Sequence, residues 1–234
     1  MKKLMGVAII AAFAWLSISA RAADDTQKLD SRLDSAKTVI DQIEAVPDKS
    51  VPEGIAQKAV CVGVVPGMVK GAFIFGAEYG QGVVTCRTAH GWSGPVFIRM
   101  AGGSWGLQIG GQGTDLVLVA INHKGFQDLL DDKFKIGAGA AAAAGPVGRS
   151  ANASTDLSMR AELLTWSRSR GAFAGIDLNG TSVSQNKADT DAFYGSDHSF
   201  NQILSGDVPP PSAARPFLEA VAHYFGESQA EASR

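Results

Sequence analysis

The 234-residue chain carries 21 Lys and Arg against 23 Asp and Glu; its first 22 residues hold three of the cations and no acid, so the remainder is net −5. That balance argues against a general nucleic-acid binder, which is basic overall. Twenty-seven glycines and an aromatic content of 8% argue against a helix bundle and for many turns and close backbone approaches.

The chain opens with Lys2 and Lys3, an apolar run from Leu4 to Ile18, and Ala20-Arg21-Ala22. A positive start, a short apolar run and a small-x-small site predict an export signal over residues 1–22. The mature protein is then expected to begin near Ala23 and to work outside the cytoplasm, in a bacterial periplasm or on the periplasmic face of the envelope. Leu29, Leu33, Ala36, Ile40 and Ile43 follow at steps of four and three, which predicts an amphipathic helix over 24–46 ended by Pro47. Pro52 and Glu53 start a short helical turn toward Lys58.

From Ala59 to about Val183 the pattern is that of strands. Ala59–Val65 is rich in Val and is broken by Pro66-Gly67. Ala72–Tyr79 and Val83–Arg87 read as two strands joined by a hairpin at Gly80-Gln81-Gly82. Pro95–Met100 and Trp105–Ile109 repeat that arrangement. Leu116–Ile121 is apolar on both faces and reads as a central strand. His123–Asp131 reads as a helix covering an open end of the sheet. Residues 136–148 are almost all Ala and Gly, which favours an extended segment that another backbone or a ligand approaches. Ala161–Arg170 and Phe173–Leu178 form a hairpin around Gly171. Asp189–Tyr194, Phe200–Leu204 and Pro216–Phe225 read as helices, the last with Phe217, Val221 and Phe225 on one side.

Few residues invite chemistry. Gly102-Gly103-Ser104-Trp105-Gly106 fits the string of a hydrolase nucleophile elbow, but that device needs a helix after the Ser, and Leu107-Gln108-Ile109 continues as strand. Gly137-x-Gly139-x-x-Ala142 lacks the following helix that a dinucleotide site requires. His90, His123, His198 and His223 show no metal-ligand spacing, so neither metal nor cofactor is expected. Asp115 and Asp156 each follow a Thr beside a predicted turn; Asx-turn hydrogen bonds are one role for them and a carboxylate pair the other. Cys61 and Cys86, the only cysteines, form either one disulfide in an oxidising compartment or two buried thiols in strands.

One stretch stands out electrostatically. Lys133, Lys135, Arg149, Arg160, Arg168 and Arg170 face only Asp156 and Glu162 between them. Alternation puts Arg160, Leu164, Trp166, Arg168 and Arg170 on one strand face. Trp flanked by Arg suits a lipid–water interface, where the ring sits at headgroup depth and guanidinium grips phosphate. A solvated sheet face with Trp166 half buried is the alternative.

At these residues the chain resembles the SYLF family, the lipid-binding domain of Ysc84-like proteins. The resemblance runs from about Leu29 to Tyr194. Its carriers are Lys58-Ala-Val-Cys-Val-Gly-Val-Val-Pro66, Gly91-Trp-Ser-Gly-Pro95, Gly102-Gly-Ser-Trp-Gly-Leu-Gln-Ile-Gly110 and Thr114-Asp115. They continue in Lys133-Phe-Lys135, Ala144-Gly-Pro-Val-Gly-Arg149, Ser167-Arg-Ser-Arg-Gly171, Phe173-Ala-Gly175 and Ala192-Phe-Tyr-Gly195. Eukaryotic members are described as binding phosphoinositides, often beside SH3 or FYVE modules. This chain has a signal in place of those modules and so resembles an exported bacterial member.

Together these readings predict an α+β fold: an antiparallel, partly closed or barrel-like sheet with flanking helices. The expected divisions are the signal (1–22), an N-terminal helix and turn (23–57), a β-rich core (58–195) and a helical extension (196–234). The expected function is non-enzymatic recognition of anionic phospholipid or phosphoinositide-like headgroups at a membrane surface. Lys133, Lys135, Arg149, Arg160, Trp166, Arg168 and Arg170 are the expected contacts, and no nucleic acid is involved. An envelope scaffold with an unknown protein partner is the alternative, and a hydrolase using Ser104 a third.

Overall fold

A computed structural model describes residues 25–46, 50–72, 75–105, 110–122, 133–136, 142–144, 163–169, 172–173, 178 and 180–226. Helix α1 spans residues 25–44, and Leu29, Leu33, Ala36, Ile40 and Ile43 are all buried, as their spacing requires. The short α2 (Glu53–Ala56) leads into the sheet.

The strands are β1 (Cys61–Ala72), β2 (Phe75–Thr88), β3 (Gly91–Trp92), β4 (Val96–Trp105), β5 (Gly110–Ala120), β6 (Lys133–Lys135), β7 (Ala142–Ala144), β8 (Leu163–Ser169), β9 (Ala172–Phe173) and β10 (Ser182–Gln185). Their order is β6-β10-β4-β2-β1-β5-β8-β7, with β3 on β2 and β9 on β8. The order is open, not closed into a barrel. Every pairing is antiparallel except β7 with β8. Helices α3 (Lys187–Tyr194), α4 (Phe200–Leu204) and α5 (Arg215–Phe225) follow. The fold is thus α+β, an antiparallel sheet with helical flanks.

Where the helices cover it the sheet is buried on both faces, which is why the central strands read as unbroken apolar runs. On one face α1 and α5 share a cluster with Val62, Val64, Val83, Phe97, Val117, Val119, Leu164 and Trp166. On the other, α4 shares a cluster with Val65, Met68, Val84, Ile98, Met100, Leu116, Leu118, Leu163 and Val183. Cys61 and Cys86 stand directly opposite each other in β1 and β2, both buried, and are joined by a disulfide.

Two glycine signals read as turns lie inside strands instead. Gly80-Gln81-Gly82 is the middle of the continuous β2, and Gly102-Gly103 lies within β4. The reason is space. A Cβ at Gly82 would stand 2.2 Å from the Val64 carbonyl oxygen, and one at Gly80 2.6 Å from Val65. A Cβ at Gly102 would meet the buried Glu78, whose carboxylate accepts a hydrogen bond from the Thr181 hydroxyl. These glycines admit close neighbours and reverse nothing. Nor does Pro66-Gly67 end its strand. It forms a bulge in β1, with Gly67 at φ +56° and a register shift against both β2 and β5.

The expected helix at His123–Asp131, most of 136–148 and the export signal lie outside the described residues; Ala142–Ala144 is extended.

Candidate functional site

The basic strand takes its place at β8, between β5 and β7. Leu164, Trp166 and Arg168 do share a face, but that face lies beneath α1. Trp166 is only 3% exposed and belongs to the α1 cluster. Arg168 donates to Gln42 of α1, and its Nη2 lies 3.0 Å from Asp115 Oδ2. Asp115 Oδ1 in turn accepts from the Gly67 amide at 2.9 Å, so this carboxylate ties β8 to the β1 bulge and serves no Asx turn of its own. Of the expected lipid contacts, Trp166 is thus placed in the core and Arg168 fastens α1 to the sheet.

Topology also divides the cationic stretch. Lys133 and Lys135 lie in β6, at the opposite end of the strand order from β8, paired with Ser184 and Ser182. Arg149, Arg160 and Arg170 lie outside the described residues. Ser104 sits inside β4 opposite Gly76, and the next element is β5, a strand. Among the described residues no helix follows Ser104 as a nucleophile elbow requires. Among the described residues, no three His, Cys, Asp or Glu gather where they could hold a metal ion.

The sheet offers a different surface. Arg32 of α1 donates to Gln81 in β2 and to Asp189 in α3, each at 2.6 Å, with its guanidinium 5.5 Å from the Phe97 ring centre. Gln42, ten residues on, meets Arg168 in β8. Helix α1 thus crosses β2, β1, β5 and β8, and the sheet continues beyond it. The first uncovered row is Gly113–Val69–Tyr79–Ala101, one residue from each of four strands. All four are exposed, Val69 at 56% and Tyr79 at 49%. Val69 and Tyr79 are two of the three large apolar side chains that the described residues leave exposed. Their neighbours, Gly and Ala, add no bulk. Between this pair and the flank of α1 runs a groove of about 380 Å³. Lys28, Ser31, Arg32 and Ser35 form its helical wall, and Pro66, Gly67, Val69 and Tyr79 its floor. Sequence reading missed this site because it placed a strand end at Pro66 and at Tyr79. The alternation Ala77-Tyr79-Gln81 against Glu78-Gly80-Gly82 was the available signal.

Two further polar groups hold the helical layer. The Arg87 guanidinium donates to the carbonyls of Phe225 (2.6 Å), Gly226 (3.1 Å) and Ala59 (3.0 Å) and stacks 4.6 Å from the Trp92 ring centre. Burial lowers its pKa. Trp92 Nε1 also donates to Gly226, so the end of α5 is capped from the sheet. At the end of α1, burial pushes the Glu44 carboxyl up to about 7, opposed by a 3.2 Å hydrogen bond from the Val51 amide.

The structure is thus an open antiparallel sheet with helices on both faces and a groove beside α1. The family model for Ysc84, described as a Las17-binding protein actin regulator, matches residues 101–224. The SH3 domain-containing YSC84-like protein 1 of Rattus norvegicus is 32% identical over 190 residues, which cover 80% of this chain and 56% of that protein. The Homo sapiens protein of that name is 30% identical over 190 residues, 80% of this chain and 55% of its own. LAS seventeen-binding protein 3 of Saccharomyces cerevisiae is 29% identical over 178 residues, 74% of this chain and 39% of its own. The chain belongs to the Ysc84 (SYLF) family. It spans about half the length of the curated relatives it matches.

Proposed function

We propose that the chain is an exported, non-enzymatic lipid-binding protein that recognises anionic phospholipid at a membrane surface, on the periplasmic side of a bacterial envelope. The observation that carries this reading is the exposed cross-strand pair Val69 and Tyr79 beside a cationic helix flank. An aromatic ring with a polar tip is favoured at the membrane–water boundary, where the ring meets acyl chains and the hydroxyl stays wet. Lys133, Lys135, Arg149, Arg160 and Arg170 add longer-range attraction for an anionic surface. The signal over residues 1–22 supplies the export.

A second reading follows from the relatives' names: a protein partner, as in Las17 binding, occupies the same exposed pair. Flotation of the mature protein with phosphatidylcholine vesicles, with and without phosphatidylglycerol, separates the two. Lipid binding requires flotation that rises with the anionic lipid and falls with salt. A protein that stays at the bottom of the gradient with both vesicle types contradicts it.

A further inference from the structure

The groove beside α1 has a chemistry more specific than a membrane-facing patch. Two cations of α1, Lys28 and Arg32, stand in its wall, and no carboxylate lines it, although the protein as a whole is acidic. Lys28 reaches out to solvent, with Asp25 of its own helix 3.6 Å away. Arg32 is held in place by Asp189 and Gln81, so its orientation is set before any ligand arrives. The floor changes character along its length. It is backbone at the Gly67 bulge and apolar at Val69 and Tyr79. The groove, of about 380 Å³, is open to solvent along one side, so a ligand there would keep part of its surface outside the protein.

A cationic wall over an apolar floor complements one kind of ligand, an amphiphile with an anionic head. We infer that this groove binds a single anionic glycerophospholipid, with the phosphate against Lys28 and Arg32 and the start of the acyl region over Tyr79 and Val69. The inference rests on the lipid reading above and gives it a place. It makes the start of α1 and the β1–β2 pair membrane-proximal, while Trp166 and Arg168 stay within the protein.

The test uses the mature protein, its Val69→Ser/Tyr79→Ser double variant and its Lys28→Glu variant, floated on phosphatidylcholine vesicles with or without phosphatidylglycerol. All three positions are at the surface, and thermal unfolding monitored by circular dichroism verifies that each variant is folded. The double variant is expected to bind at least about tenfold more weakly to both vesicle types. Lys28→Glu is expected to lose about fivefold or more on anionic vesicles and nothing on neutral ones. Tyr79→Trp gives an independent readout, a blue shift of the added emission when phosphatidylglycerol vesicles are mixed in. If wild type floats and folded variants float equally well, the groove assignment is overturned and the lipid reading stands. If wild type floats on neither vesicle, the lipid reading fails and takes the groove with it. If wild type is a dimer that the double variant splits with flotation unchanged, the pair belongs to a second copy and the inference is overturned.

Discussion

One face of the sheet contains two regions of similar residue type and opposite fate. Below the line where α1 crosses, Trp166, Phe97 and Val117 are buried with the helix. Above it, Val69 and Tyr79 project from the same face into solvent. Alternation along a strand tells which face a side chain takes. It does not tell whether that face is covered. Cover is set by a helix whose docking points, Arg32 on Gln81 and Asp189 and Gln42 on Arg168, are 49, 157 and 126 residues away in sequence.

The contrast can be broken most forcefully at its covered side. Trp166→Ala is expected to cost about 3–5 kcal/mol, through lost burial and a cavity beneath α1, read as a lowered midpoint in urea unfolding. A cost under about 0.5 kcal/mol would mean that α1 does not cover this face in solution.

Next is the cross-strand disulfide, which lies on the opposite face of the sheet from α1. Replacing Cys61 and Cys86, 25 residues apart, by Ala is expected to destabilise by about 3 kcal/mol on the loop-closure argument. Calorimetry of wild type and double variant gives the number, and full alkylation of the denatured, unreduced protein would show that no bond exists.

Glu44 tests the attachment of α1 through pH. Its carboxyl is raised from 4.5 to about 7 in the folded protein, so the folded state keeps a proton that the unfolded chain loses. That contribution is fully present below about pH 4.5 and is lost as pH rises through 7. Glu44→Gln should therefore flatten the decline in stability across this window and stabilise the protein above it by about 1–3 kcal/mol. Parallel declines for wild type and variant would place the proton elsewhere.

The exposed side should barely respond. Val69→Ser with Tyr79→Ser is expected to change stability by less than about 0.5 kcal/mol per site, a result that sharpens the contrast with Trp166. A loss as large as that of Trp166→Ala would show that this end of the sheet is covered after all.

Much of the frame was legible. Helices α1 and α5 announced themselves through apolar residues at helical spacing, and Leu116–Ala120 through its two-faced burial. The joints between strands were not legible, because glycine signals a turn and a close approach with the same letter. At residues 80–82 and 102–103 the deciding contacts come from Val64, Val65 and Glu78. The surroundings of the basic strand were hidden for a related reason. Arg168 and Trp166 carry the composition of a lipid contact, but a distant helix lies over one and bonds the other. Val69 and Tyr79 carry no such signal until the strand register sets them opposite each other.

Peptide-level hydrogen exchange of the protein with and without phosphatidylglycerol vesicles tests the central claim most directly. The account predicts slower exchange in peptides covering residues 28–35 and 68–81 when vesicles are present, with β8 unchanged. Faster exchange in α1 together with vesicle-dependent changes confined to β8 would contradict it, because the buried face around Trp166 would then be the one that meets lipid.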